Sequence, residues 1–126
     1  MKHSRFLGVV FILSFLAGCS HPGVQATERF YRALERGDTD EATNYVSREI
    51  TDLTGRGKLA LGLREAAKQI QQCGGLKSVK TVISGNGQRQ SGETILEFKG
   101  NCPNKVTQTE LVKEDGKWKV TTRAGK

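Results

Sequence analysis

Histidine is nearly missing from this chain. His3 and His21 are the only two, and both precede the first stretch that reads as a folded element. A domain built from residue 26 onward has no imidazole to act as general acid or base, which removes the commonest proton-transfer group. Cysteine is scarce too: there are three, with no C-x-x-C pair among them, so a thioredoxin-like redox centre is excluded. The same scarcity leaves a zinc ion without enough ligands. No serine lies in a G-x-S-x-G context. "GRGK" at 55–58 lacks the glycine spacing and the Ser/Thr of a phosphate loop. "GNGQRQSG", residues 85–92, reads as a glycine-rich hairpin turn. No catalytic, metal or cofactor residue is assigned on these grounds.

What is present describes one modest domain. The chain has 126 residues, 36% hydrophobic and 26% charged, with a formal net charge of +7. Lysines and arginines are scattered and interleaved with acids, with no basic stripe alternating with exposed aromatics, so nucleic acid is not an expected partner.

Lys2, His3 and Arg5 form a positive cluster ahead of "FLGVVFILSFLA", residues 6–17. Twelve apolar residues are too few to cross a bilayer and match the core of a signal peptide. "LAGC", residues 16–19, comes next and resembles the lipobox of bacterial lipoproteins. The resemblance implies that residues 1–18 are removed and that Cys19 becomes the acylated N-terminus, with several acyl chains giving stable membrane attachment. Ser20 in place of Asp resembles an outer-membrane sorting signal, so the expected location is the cell envelope, on the outer rather than the inner membrane. The mature chain then carries +5, from 18 basic against 13 acidic side chains. "SHPGVQ", residues 20–25, reads as a short tether reaching at most about 20 Å.

Residues 26–126 read as the domain. "ATERFYRALERGD" predicts a first helix with Ala26, Phe30, Ala33 and Leu34 on one face, Thr27 as a candidate cap and Gly37 at its end. "DTDEATNYVSREI" predicts a second, capped by Asp38 or Thr39. "GRG" at 55–57 breaks the chain, and a third helix is expected from Lys58 to about Gln72, stopped by Gly74 and Gly75. From Lys77 the period becomes two: Val79, Thr81 and Ile83 share a face, as do Thr94, Leu96 and Phe98. Asp115–Gly116 predicts a tight hairpin in which Leu111 faces Val120 and Lys113 faces Trp118. Three helices and then about four antiparallel strands give an α+β domain, with the helices covering one face of a curved sheet.

"ATERFYRALERGDTDEATNYVS" and "TELVKEDGKWKVT" resemble the opening helix pair and closing hairpin of the nuclear transport factor 2-like superfamily, and in particular its small bacterial lipoproteins. The resemblance covers about residues 26–122 and implies a cone-shaped fold. Enzymes of that superfamily use Asp, His and Tyr inside the cone. Glu97 and Glu110 have outward strand parity, which leaves Glu49 and Asp52 as the acids worth testing.

Cys73 and Cys102 form an even pair in an exported domain and are expected to be joined by a disulfide. Three roles remain. In the first, the protein is a non-enzymatic envelope lipoprotein, attached to membrane lipid through Cys19 and binding another envelope protein or a small apolar ligand. Tyr31, Tyr45, Val79, Ile83, Leu96, Phe98, Leu111 and Trp118 would line the pocket. In the second, a small isomerase- or dehydratase-like enzyme uses Tyr31 or Tyr45 with Asp52. In the third, the pocket is filled by its own side chains and the domain acts only through protein contacts.

Overall fold

Helix α1 runs from Pro22 to Glu35. Proline at its start has φ already set and no N–H to leave unpaired. His21 Nδ1 caps it, accepting the Gly23 N–H at 2.8 Å. The helix therefore begins four residues earlier than the sequence pattern predicts, and residues 22–25 belong to the domain instead of a tether. Histidine is not a usual cap residue, which hid the signal. Thr27 is no cap: it is buried, and its hydroxyl donates back to the Gly23 carbonyl at 2.8 Å. Ala26, Phe30, Ala33 and Leu34 are buried, as their spacing requires. The structure is a computed structural model describing residues 21–85 and 87–122. Cys19 and the leader lie outside the described residues.

The expected second helix is two. Helix α2 spans Thr39–Thr43, capped by Asp38, whose carboxylate accepts the Glu41 N–H at 3.0 Å. Helix α3 spans Arg48–Thr54, capped by Ser47. Between them a turn at Asn44 and Tyr45 leads to Val46, which bridges in parallel to Val120. Val120 N–H donates to the Tyr45 carbonyl at 2.7 Å, and Ser47 N–H donates to the Val120 carbonyl at 2.9 Å. A continuous helix would have left that sheet edge unpaired, and β-branched Val46 fits an edge better than a helix interior. Helix α4 covers Arg56–Gln72, separated from α3 by Gly55 at φ 86° and burying Leu63, Ala67 and Ile70.

Four strands complete the chain: β1 (Leu76–Ser84), β2 (Arg89–Phe98), β3 (Lys105–Glu114) and β4 (Lys117–Thr121). They form one antiparallel sheet in the order β1-β2-β3-β4. The closing hairpin has the predicted register, with Leu111 opposite Val120 and Lys113 opposite Trp118. Asp115 at φ 51° and Gly116 at φ 80° make its turn. In the β1–β2 hairpin, Gly92 is not part of the turn as expected. It pairs with Ile83 inside β2.

Val79, Leu96, Phe98, Leu111 and Val120 point to the helical side of the sheet, where α1 packs on β1, β4 and α4. The core is Phe30, Ala33, Leu34, Ala42, Val46, Leu63, Ala67, Ile70, Leu76 and Leu96. At the centre of this face a row of hydroxyls replaces apolar groups: Thr94 Oγ1 lies 2.9 Å from Thr81 Oγ1 and 2.6 Å from Thr109 Oγ1. Each buried hydroxyl thus has a partner. The architecture is α+β, with four helices against a curved four-stranded antiparallel sheet.

Candidate functional site

Several concave features border α1. A wide groove of about 1,280 Å³ lies between the first half of α1, helices α2 and α3, and the β3–β4 turn. Its walls mix Arg29, Arg48, Arg56, Lys117 and Lys119 with Asp40, Glu41 and Asp52, and Tyr45 and Trp118 stand among them. A second groove, of about 660 Å³, opens between α1 and α4 on one side and the ends of β2 and β3 on the other. Phe30, Tyr31, Leu34, Leu63, Ile70, Leu96 and Phe98 make it apolar. Its volume lies within the range of about 300–1,000 Å³ typical of small-molecule sites.

The apolar groove exists because of three local features. The stripe of α4 and the second half of α1 present large side chains to each other and to the inward face of β2. Gly74 and Gly75, at φ 83° and 94°, turn the chain sharply from α4 into β1. The Cys73–Cys102 disulfide, with an S–S distance of 2.04 Å, fixes the segment after β2 to the end of α4, so both cysteines join the lining. The disulfide expected from the sequence is thus also a wall of the site.

The residues expected to line one pocket are divided. Tyr31, Leu96 and Phe98 are in the apolar groove. Tyr45 and Trp118 line the wide polar one. Leu111 is buried against α1, close to Gly23, and lines neither. Val79 packs on the core and Ile83 is half-buried at the far end of β1, and neither borders a groove. Lys105 and Thr107, at the mouth of the apolar groove, escaped the reading of the sequence. Strand parity could have found them, since Lys105, Thr107, Thr109 and Leu111 alternate onto the inward face.

Tyr31 and Asp52 lie in different grooves, whereas Tyr45 and Asp52 share the polar one. Burial and a hydrogen bond to the Glu41 carboxylate push the Tyr45 phenol upward, with Arg29 opposing. The carboxylates with shifted titration are engaged elsewhere. Glu49 is lowered by the Thr121 hydroxyl and by Arg89. Glu97 is lowered by the Ser78 hydroxyl and then Lys80, on the outer face of the sheet. For Glu35, burial pushes upward but the Leu76 N–H, Arg32 and Lys99 outweigh it. Among the described residues no group of three or more His, Cys, Asp or Glu is placed to hold a metal ion, and no helix is long and apolar enough to cross a membrane.

The arrangement of helices around a curved sheet defines a nuclear transport factor 2-like fold. A solved structure from Campylobacter jejuni, described as a "Putative NTF2-like transpeptidase", is similar to this chain with a TM-score of 0.63 and 23% identity. The match covers 77% of this chain and 94% of that one. No family model and no curated protein matches the chain.

Proposed function

We propose that this protein is a lipid-anchored lipoprotein of the bacterial envelope whose domain binds a small apolar ligand without transforming it. The observation that carries the reading is the apolar groove of about 660 Å³, open to solvent and walled by α1, α4, β2, β3 and the disulfide. A module acting only through its surface has no need of such a space.

The anchor rests on "LAGC" at residues 16–19, and the fold gives it a consequence. Because α1 starts at Pro22, only Ser20 and His21 separate Cys19 from the helix. Three residues reach about 10 Å. The beginning of α1 is then held at the membrane, with Trp118 beside it, its ring centroid 5.4 Å from that of His21. Ser20 favours the outer membrane.

The absence of catalysis is supported by where the ionisable groups are spent. Glu35, Glu49 and Glu97 serve structural partners, and Cys73 and Cys102 are bonded to each other, so neither offers a thiolate. The transpeptidase description stays with the Campylobacter protein. One observation favours a protein partner as a second reading: Val82 and Val106 are 74% and 60% exposed on the outer face of the sheet.

Native mass spectrometry tests the first reading. The chain from Ser20 onward contains every core residue and can be exported to a periplasm and purified gently. A reproducible extra mass, released on denaturation, is the expected result. A bare protein mass, repeated from lipid-rich and lipid-poor growth, would overturn it in favour of the protein-partner reading.

A further inference from the structure

The lining of the apolar groove carries one side-chain charge. Among the described residues Lys105 is the sole group of fixed charge on its wall, and no Asp or Glu borders it. In the sheet Lys105 pairs with Leu96, so it stands on the inward face with Thr107, Thr109 and Leu111. No ion pair holds it among the described residues. The nearest acid in the strand register, Glu97, points to the opposite face and is engaged by Ser78 and Lys80. β4 pairs only with Glu110–Glu114, so among the described residues Lys105 also stands where β3 has no second partner strand. At the mouth of an apolar groove it offers a counter-charge. The same lining holds the polar groups of Asn104 and Gln69 and the hydroxyls of Thr107 and Tyr31, the last two 3.4 Å apart.

We propose that the groove takes a single-chain amphiphile with one acidic head, a fatty acid, with the alkyl chain among Phe30, Leu63, Ile70 and Phe98 and the carboxylate at Lys105. This rests on the reading of the groove as a ligand site and adds the chemistry of the ligand. An apolar wall selects for an alkyl chain of any head, because hydrophobic burial is non-directional. The unmatched lysine then selects the head, since a carboxylate gains a charged hydrogen bond there and a cation meets repulsion.

Three ligands with one tail test it: dodecanoate, dodecanol and dodecyltrimethylammonium, titrated calorimetrically below their micelle concentrations into the chain from Ser20 onward. Dodecanoate should bind about fivefold or more tighter than dodecanol, the gain of one partly solvated charge pair, and the ammonium weakest of all. Lys105→Gln should bring dodecanoate to the level of dodecanol while leaving dodecanol unchanged, and Lys105→Glu should reverse the order of the two ions. Lys105 is exposed, so neither change disturbs packing. Equal binding of all three ligands would overturn the acidic-head proposal and leave the apolar groove standing. Binding of none of them would overturn the groove itself as an alkyl site.

Discussion

Ser47 Oγ and Thr121 Oγ1 lie 2.7 Å apart and buried, joining the start of α3 to the last strand. The direction of this bond is set by its neighbours. Thr121 donates its hydroxyl proton to Glu49 Oε1 at 2.9 Å, and Ser47 Oγ accepts the Ile50 N–H at 3.3 Å. Ser47 must therefore donate to Thr121. One side chain thus caps a helix and fastens it to the sheet edge that Val46 has already joined. Ser47→Ala should cost roughly 1–2 kcal/mol, from a lost cap and a lost buried hydrogen bond. Urea denaturation checks it. An unchanged midpoint would mean that the cap and bridge carry no stability.

Glu35 fastens the other end of the helical layer. At the last residue of α1, it accepts the Leu76 N–H at 2.8 Å and pairs with Arg32 at 3.1 Å, so it ties α1 to the first residue of β1. Burial raises its pKa, but the hydrogen bonds and cations win and the net shift is downward from 4.5. A carboxylate depressed in the folded state contributes stability that is complete above its unfolded pKa. That contribution is lost as the pH falls through the folded value. The stability of the protein should therefore fall on acidification below about pH 4.5, and the difference between wild type and Glu35→Gln should shrink over the same window. A constant difference from about pH 7 to about pH 3 would show that the charge of Glu35 is not involved.

The parts of the fold governed by local pattern were legible. The hairpin register around Asp115–Gly116 could be read because a two-residue turn fixes every pair behind it. Helix α4 could be read because glycines bracket it, Gly55 before and Gly74 and Gly75 after. The misread parts depended on distant partners. The helical run stops before Val46 because β4 lies beside that residue, although Val120 is far from Val46 along the chain. The single expected pocket became two because α1 lies across the sheet: Tyr31 falls on one side of it and Trp118 on the other. Face parity shows which residues point inward. It does not show which inward residues a helix then covers, and so Leu111 was expected in a pocket that α1 fills.

The disulfide between Cys73 and Cys102 closes a separation of 29 residues. In the chain-entropy account this contributes about 3–4 kcal/mol by restricting the unfolded chain. For a domain of this size that is a sizeable part of the total stability. The double variant Cys73→Ser/Cys102→Ser should be destabilised by that amount in urea titration, with the segment 99–104 the first to lose hydrogen-exchange protection. Thiol titration of the exported, denatured wild type should find neither sulfur free. Two titratable thiols would refute the bridge in the exported protein.

Glycines in this chain serve opposite purposes, and two alanine substitutions should separate them by sign. Gly92 sits inside β2, where a Cβ would collide with the Val82 carbonyl oxygen and lie 2.7 Å from Ile83 Cα. These are backbone atoms of the paired strand and cannot rotate away. Gly92→Ala should thus force β1 and β2 apart and cost about 3 kcal/mol or more. Gly62 lies in the exposed middle of α4, with nothing within 4 Å of the position its Cβ would take. Gly62→Ala should stabilise the protein by about 0.5–1 kcal/mol, because alanine has less backbone freedom to lose in a helix. Thermal unfolding of the two variants checks the pair. Should Gly92→Ala melt with the wild type, the close approach of β1 to β2 at Ile83 would be wrong, and with it the hairpin register that sets Val79 opposite Leu96.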